Sequence, residues 1–165
     1  MTLEEHEDFL PLMGIDHVEY YVGNARQAAY YYSKAFGFRV TAYRGPETKH
    51  RDTVSWVAEQ GDARYVFTGA QGPEHPVSQH VLAHGDGVRD IALRVPDATR
   101  AWEETTKRGA ESAMEPTVLE DDHGKVVRSA IKIYGETLHS FILPSSTLAT
   151  QWSIALMPTS GPSSG

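Results

Sequence analysis

The feature that most restricts how this chain can fold is a unit that occurs twice. Residues 14–22, GIDHVEYYV, mix β-branched, aromatic and polar side chains with period two, which predicts a strand. Gly23 and Asn24 supply a tight turn, and the aromatic, alanine-rich run 25–38 predicts a helix. On the strand, the alternation puts Ile15, His17, Glu19 and Tyr21 on one face and Val18, Tyr20 and Val22 on the other. On the helix, Ala28, Tyr31, Tyr32, Ala35 and Phe36 form one apolar stripe, with Gly37 as its stop. One strand face can then lie against the helix, and the polar face opposite needs a cavity.

The same pattern returns in DIALRV at 90–95, about 73 residues further on, and repeats of this kind rank above any local signal in fixing a fold. In that register His17 meets Asp90, Val18 meets Ile91, Tyr20 meets Leu93 and Val22 meets Val95, and Gly37 falls beside Gly109. The later parts also match, with Gln60-Gly61-Asp62 against Tyr134-Gly135-Glu136 and Phe67 against Phe141. Two copies of one β-α-β-β-β unit account for this economically; a chance coincidence of short β-α patterns is the alternative. The expected fold is α+β, with two βαβββ modules related by a pseudo-twofold and forming an open, barrel-like sheet.

In chain order, residues 1–13 read as a short solvated arm, and 14–143 as one domain with modules at 14–70 and 88–143. The first module continues with strands at 39–43, 52–58 and 64–68, the last two joined by a hairpin at Gln60-Gly61-Asp62. The connector 71–87 holds a short helix at 77–83. Asp97 is placed to cap a second-module helix ending near Gly109. Pro116 interrupts the next stretch, leaving an edge strand at 117–119, a turn at 120–124 and strands at 126–133 and 137–143. Past Leu143 the periodicity fails, so 144–165 reads as an irregular tail whose last residues, 160–165 (SGPSSG), look vector-derived.

A net charge of −7 with scattered Lys and Arg argues against a nucleic-acid footprint. No run approaches the roughly 20 apolar residues of a membrane span. The arm lacks the layout of a secretion signal, which makes the cytoplasm the expected compartment. With no cysteine in the chain, any metal would have nitrogen and oxygen ligands.

Paired βαβββ units with a histidine on the first strand resemble the vicinal oxygen chelate superfamily of glyoxalases and extradiol dioxygenases. Four motifs narrow the likeness: YVGNARQAAYYY at 21–32, AYRGPET at 42–48, HGDGVRDIA at 84–92, and DHGK at 122–125 with Tyr134-Gly135. In this order, across about residues 14–143, they resemble the N-terminal domain of the 4-hydroxyphenylpyruvate dioxygenases. The resemblance implies a non-haem Fe(II) enzyme of tyrosine catabolism that couples O₂ to oxidative decarboxylation of a 2-oxo acid and hydroxylates the ring to give homogentisate. It also implies that two histidines and a carboxylate on a C-terminal domain hold the iron, leaving open positions for substrate and O₂. No such domain follows Leu143 in this chain. The expected partners are accordingly that C-terminal catalytic domain and a second copy of the chain in a homo-oligomer, and the chain alone is expected to be inactive.

In this superfamily the metal ligands come from the first strands of two units and from a later strand. Those places hold His17, Asp90 and a residue within 138–141, where His139 or Ser140 is available. His17, Asp90 and His139 are therefore the candidate metal ligands, although the resembling domain is a degenerate copy without iron and no catalytic residue is expected here. The simpler reading makes His17 and Glu19 a buried pair hydrogen-bonded to Arg94 or Tyr21. His75, His80 and His84 read as solvated loop histidines, and 120–123 as a charged hairpin tip. Two functions remain open: the N-terminal half of a 4-hydroxyphenylpyruvate dioxygenase or of the related hydroxymandelate synthase, or a self-contained vicinal oxygen chelate protein, either a metal-dependent lyase or isomerase or a ligand-binding module.

Overall fold

The computed structural model describes residues 8–121, 124–143 and 157–158. Strand β1 (Gly14–Tyr21) leads into helix α1 (Ala25–Phe36), then β2 (Arg39–Arg44), a 3₁₀ turn at Pro46–Thr48, β3 (Thr53–Gln60) and β4 (Ala63–Ala70). Helix α2 (Pro76–His84) crosses to the second half: β5 (Gly87–Arg94), α3 (Ala98–Lys107), β6 (Ser112–Asp121), β7 (Gly124–Lys132) and β8 (Leu138–Ile142). A two-residue strand, β9 (Met157–Pro158), completes the described elements.

Local chemistry sets the helix ends. The Asn24 side chain accepts the Gln27 amide at 3.0 Å, and Gly37 closes α1 at φ 77°, where a side chain would be strained. Asp97 Oδ1 accepts the amides of both Thr99 and Arg100 at the start of α3. The two inner hairpins turn through Gly61 at φ 56° and Gly135 at φ 54°.

The strands form one sheet in the order β6-β7-β8-β5-β1-β4-β3-β2-β9. Apart from β9, this order reads the same from either side of the β5–β1 seam. The pairing supports a pseudo-twofold residue by residue. Across the antiparallel seam Val18 faces Ile91, its own equivalent, while His17 faces Ala92 and Glu19 faces Asp90. The parallel pairs correspond too, Tyr20 with Phe67 in one half and Leu93 with Phe141 in the other. Even the irregularities match. One register shift leaves Asp16 as the extra residue on β1, and the other leaves its equivalent, Arg89, as the extra residue on β5.

The bulge at Asp16 corrects the expected alternation. Ile15 pairs with Leu93, a residue of the α3 core, and so leaves the face it was expected to share with His17. Helix α1 covers one half of the sheet over Val22, Ala29, Phe38, Ala58 and Phe67, with Tyr20 and Tyr32 packed against them. Helix α3 covers the other half over Val95, Ala98, Ala101, Ile131 and Phe141. The opposite, concave face carries two smaller apolar clusters, Val57 with Val66 and Ala92 with Val126 and Ile142.

Three expectations need revision. Strand β6 runs through Pro116 as an edge strand, with register shifts between Ser112 and Thr117 absorbing the residue that lacks an N–H. The arm, expected to be solvated, is pinned where it is described: Leu10 packs against the α3 core, the Arg108 guanidinium lies 3.7 Å from the centre of the Phe9 ring, and the Met13 amide donates to the Arg94 carbonyl. The tail, expected to be irregular, contributes β9 against β2, pairing Met157 with Tyr43 and Pro158 with Ala42. Residues 122–123 of the expected charged tip, and 160–165, lie outside the described residues.

Candidate functional site

The concave face is where the paired modules bring polar groups together. From the first half come Glu19 on β1, Ser55 on β3 and Thr68 on β4. The Thr68 hydroxyl donates to Glu19 Oε1 at 2.7 Å, so the 2.9 Å contact between Ser55 and Thr68 is a bond that Ser55 donates. From the second half come Asp90 on β5, Arg128 on β7 and Ser140 on β8. Asp90 Oδ1 accepts the Ser140 amide at 2.9 Å, while Oδ2 accepts the Ser140 hydroxyl at 2.5 Å and Arg128 Nη2 at 2.9 Å. Asp90 is 1% exposed and survives there because its charge is fully compensated. Glu19 and Asp90, directly paired across the seam, set two carboxylates at its centre. Nearby, burial first and Glu19 second raise the Tyr21 phenol above its usual value, keeping it neutral.

The candidate ligands do not converge. His17 is buried on the concave face, and its Nδ1 donates to Asp16 Oδ1 at 2.7 Å, with Arg64 3.7 Å from the other oxygen of that carboxylate. Its expected partners Arg94 and Tyr21 are replaced by the adjacent bulge residue. Asp90 is a diagonal neighbour of His17, not a facing one, and both its oxygens are already engaged by Ser140 and Arg128. His139 sits one residue before Ser140 and therefore on the helix side, where its Nδ1 donates to the Ile91 carbonyl at 2.8 Å. His17, Asp90 and His139 do not fit a metal as they stand, because ligation would strip Asp90 of Arg128 and Ser140 and would require His139 to cross the sheet.

A different group does converge. His80 and His84 lie one turn apart on α2, and Glu136 reaches them from the β7–β8 turn. His80 Nδ1 donates to Glu136 Oε2 at 2.7 Å, and His84 Nε2 lies 3.6 Å from the same oxygen. This hydrogen bond is the leading cause that holds the Glu136 carboxyl below its usual value, with both imidazoles and Arg89 acting in the same direction. His80 is 8% exposed, which corrects its reading as a solvated loop histidine. The helix expected at 77–83 stops short of His84, and only its extension to His84 sets the two imidazoles one turn apart. The arrival of Glu136 depends on a turn more than fifty residues away in sequence.

A cavity of about 770 Å³ opens beside α1, lined by Tyr20, Tyr31, Tyr32, Phe67, Asp86 and Val88 among others. Burial, with Tyr65 and Tyr32 adding to it, pushes the Tyr20 phenol up to about 12, so it serves here as an uncharged group. Tyr31, Tyr32 and Phe67 pack around the cavity, in keeping with the α1 tyrosines acting as packing and rim aromatics. Among the described residues no helix is long and apolar enough to cross a membrane.

Residues 14–135 match the Glyoxalase/Bleomycin resistance protein/Dioxygenase superfamily. The chain belongs to that superfamily. Its similar relatives include a 4-hydroxyphenylpyruvate dioxygenase of Dictyostelium discoideum, 43% identical over 131 residues that cover 78% of this chain and 36% of that protein. The enzyme of the same name from Yarrowia lipolytica is 39% identical over 133 residues, covering 78% and 34%. The chain thus spans about a third of the length of the curated relatives it matches. Among solved structures, a mutant 4-hydroxymandelate synthase of Streptomyces coelicolor superposes with a TM-score of 0.77 at 28% identity, over 81% of this chain and 39% of that one. Methylmalonyl-CoA epimerase of Mycobacterium tuberculosis shares the fold, with a TM-score of 0.68 at 16% identity over 88% and 97%.

Proposed function

We propose that this chain is the N-terminal domain of a 4-hydroxyphenylpyruvate dioxygenase, a cytoplasmic enzyme of tyrosine catabolism that converts 4-hydroxyphenylpyruvate and O₂ to homogentisate and CO₂. The carrying observation is the 43% identity to the Dictyostelium enzyme over little more than a third of its length. On this reading Fe(II) is held by a C-terminal domain that is the chain's partner, and the present domain supports that partner and contributes contacts to a homo-oligomer. The engagement of Asp90 by Arg128 and Ser140 supports the division of labour, because the place where the superfamily puts a ligand is occupied by an ion pair.

Supplied with ferrous iron, ascorbate, O₂ and 4-hydroxyphenylpyruvate, the 165-residue chain should form no homogentisate. Homogentisate formation by this chain alone would overturn the proposal. The likeness to 4-hydroxymandelate synthase supports a second reading, in which the parent enzyme makes hydroxymandelate. Chromatographic identification of the aromatic product of the full-length enzyme separates the two.

A further inference from the structure

We propose that His80, His84 and Glu136 form a binding site for one divalent transition-metal ion, joining α2 to the β7–β8 turn. The three donor atoms all lie within 4.8 Å of one another. A tetrahedral ion with bonds of about 2.0–2.1 Å to nitrogen and oxygen holds its ligands roughly 3.3 Å apart. The two edges that meet at Glu136 Oε2, 2.7 and 3.6 Å, lie on either side of that spacing. The third edge, between the two imidazole nitrogens, is at most 4.8 Å, and rotation of the half-exposed His84 ring can shorten it.

The ligands are also oriented in advance. The edge of the Tyr21 ring meets His80 at 89° with centroids 5.4 Å apart, and Arg89 donates to the Glu136 carbonyl, fixing the turn that carries the carboxylate. The His80 side chain is 8% exposed, whereas those of His84 and Glu136 are 52% and 55% exposed. The site is thus closed on the protein side and open to water on the other, leaving room for solvent to complete the coordination. Two imidazoles and one carboxylate select zinc, cobalt, nickel or copper over magnesium and calcium, which prefer all-oxygen shells.

The proton balance is simple. Glu136 is ionised and can only accept, so His80 carries its proton on Nδ1; ligation through Nδ1 moves that proton to Nε2 and exchanges one hydrogen bond for a metal bond. The Arg89 guanidinium nearby opposes a second positive charge, which limits affinity.

The test is titration of the metal-free 165-residue chain with Co(II) and Zn(II), followed by calorimetry and by the visible absorption of Co(II). Saturable binding of one ion per chain is expected, in the micromolar range. His84→Ala and Glu136→Gln should each weaken it by at least about ten-fold, and His50→Ala should leave it unchanged. Both ligand positions are half-exposed, so these variants retain the core, which circular dichroism verifies. Long-range ¹⁵N–¹H NMR on the wild-type chain gives a readout independent of variants: Zn(II) should shift His80 Nδ1 and His84 Nε2 together. No saturable binding below 1 mM, binding unaltered in both ligand variants, or ring shifts confined to other histidines would each overturn the proposal. None of these readouts depends on dioxygenase activity.

Discussion

The two halves of the sheet share a backbone and differ in what holds them together. On the helix side the first half is built from rings. Phe67 stacks on Tyr20 at 5.5 Å and lies 5.0 Å from Tyr32, while Phe38 stacks on Tyr65 at 4.9 Å. The second half packs Phe141 among Val95, Ala98, Ala101 and Ile131. On the concave side the first half runs a hydroxyl chain from Ser55 through Thr68 to Glu19, and the second uses an arginine against a buried carboxylate. The bulge residues reverse sign, Asp16 meeting His17 and Arg64, and Arg89 meeting the Tyr21 ring and the Glu136 carbonyl. A duplicated frame specifies strand order and register and leaves each half free to solve its own packing and charge problem.

The difference between the halves is most open to test at the two equivalent phenylalanines, each 1% exposed. Replacing either Phe67 or Phe141 with alanine should cost about 3–5 kcal/mol in urea unfolding. The sharper pair is Phe67→Leu and Phe141→Leu. The first should cost about 1 kcal/mol more than the second, because it also loses ring-ring contacts. Equal losses would mean that the aromatic character of the first core contributes only volume.

Next come the concave-face networks. Arg128→Met leaves Asp90 buried without its counter-ion and should cost about 3 kcal/mol, whereas Thr68→Val breaks a chain of hydroxyls and should cost about 1–2 kcal/mol. Denaturant midpoints decide the order, and a larger loss for Thr68→Val would reverse this contrast between the halves. Smaller still are the helix caps. Asp97→Ala and Asn24→Ala should each cost about 1 kcal/mol. Asp97 should be the larger by a few tenths, since its charge faces the start of α3 and it accepts two amides where Asn24 accepts one.

One group in each half should answer oppositely to pH. Tyr20 in the first half has a phenol raised from 10.0 to about 12, so its contribution to stability is present below pH 10.0 and is lost as pH rises toward 12. Glu136 in the second half has a lowered carboxyl, so its contribution is present above pH 4.5 and is lost as pH falls through the lowered value. Tyr20→Phe should reduce the slope of the alkaline limb of a stability-pH profile, to which Tyr43 also contributes, and Glu136→Gln the slope of the acid limb, to which Glu47 and Glu104 also contribute. Each variant should leave the other limb in place.

Much of the fold is legible in sequence because its signals are local. Period-two alternation locates β1, β3 and β5, and the Gly23-Asn24 turn and the Asp97 cap mark two helix starts. The offset between the halves makes Val18 and Ile91 equivalent, and the structure then pairs them across the seam. The bulges are not legible, since Asp16 and Arg89 become extra residues only once β1 and β5 are paired. Strand β6 is longer than its sequence suggests because Pro116 ends a central strand but not an edge one, whose outward N–H groups have no ladder to serve. For the site, sequence position can nominate His17, Asp90 and His139, yet it cannot show that Arg128 and Ser140 engage Asp90 or that His139 faces the helix. His80 and His84 read as loop histidines until α2 extends to His84 and stacks them one turn apart, and only the closing of the β7–β8 hairpin brings Glu136 to them.

The self-paired position at Val18 and Ile91 has an architectural corollary. A seam in which Val18 meets its own counterpart, and His17 and Glu19 each meet the counterpart of the other, has the pairing that two separate, identical polypeptides would make about a twofold axis. Joining the halves in one polypeptide removes the requirement that both carry the same side chains, and the sign reversal between Asp16 and Arg89 is a difference that two identical copies could not contain.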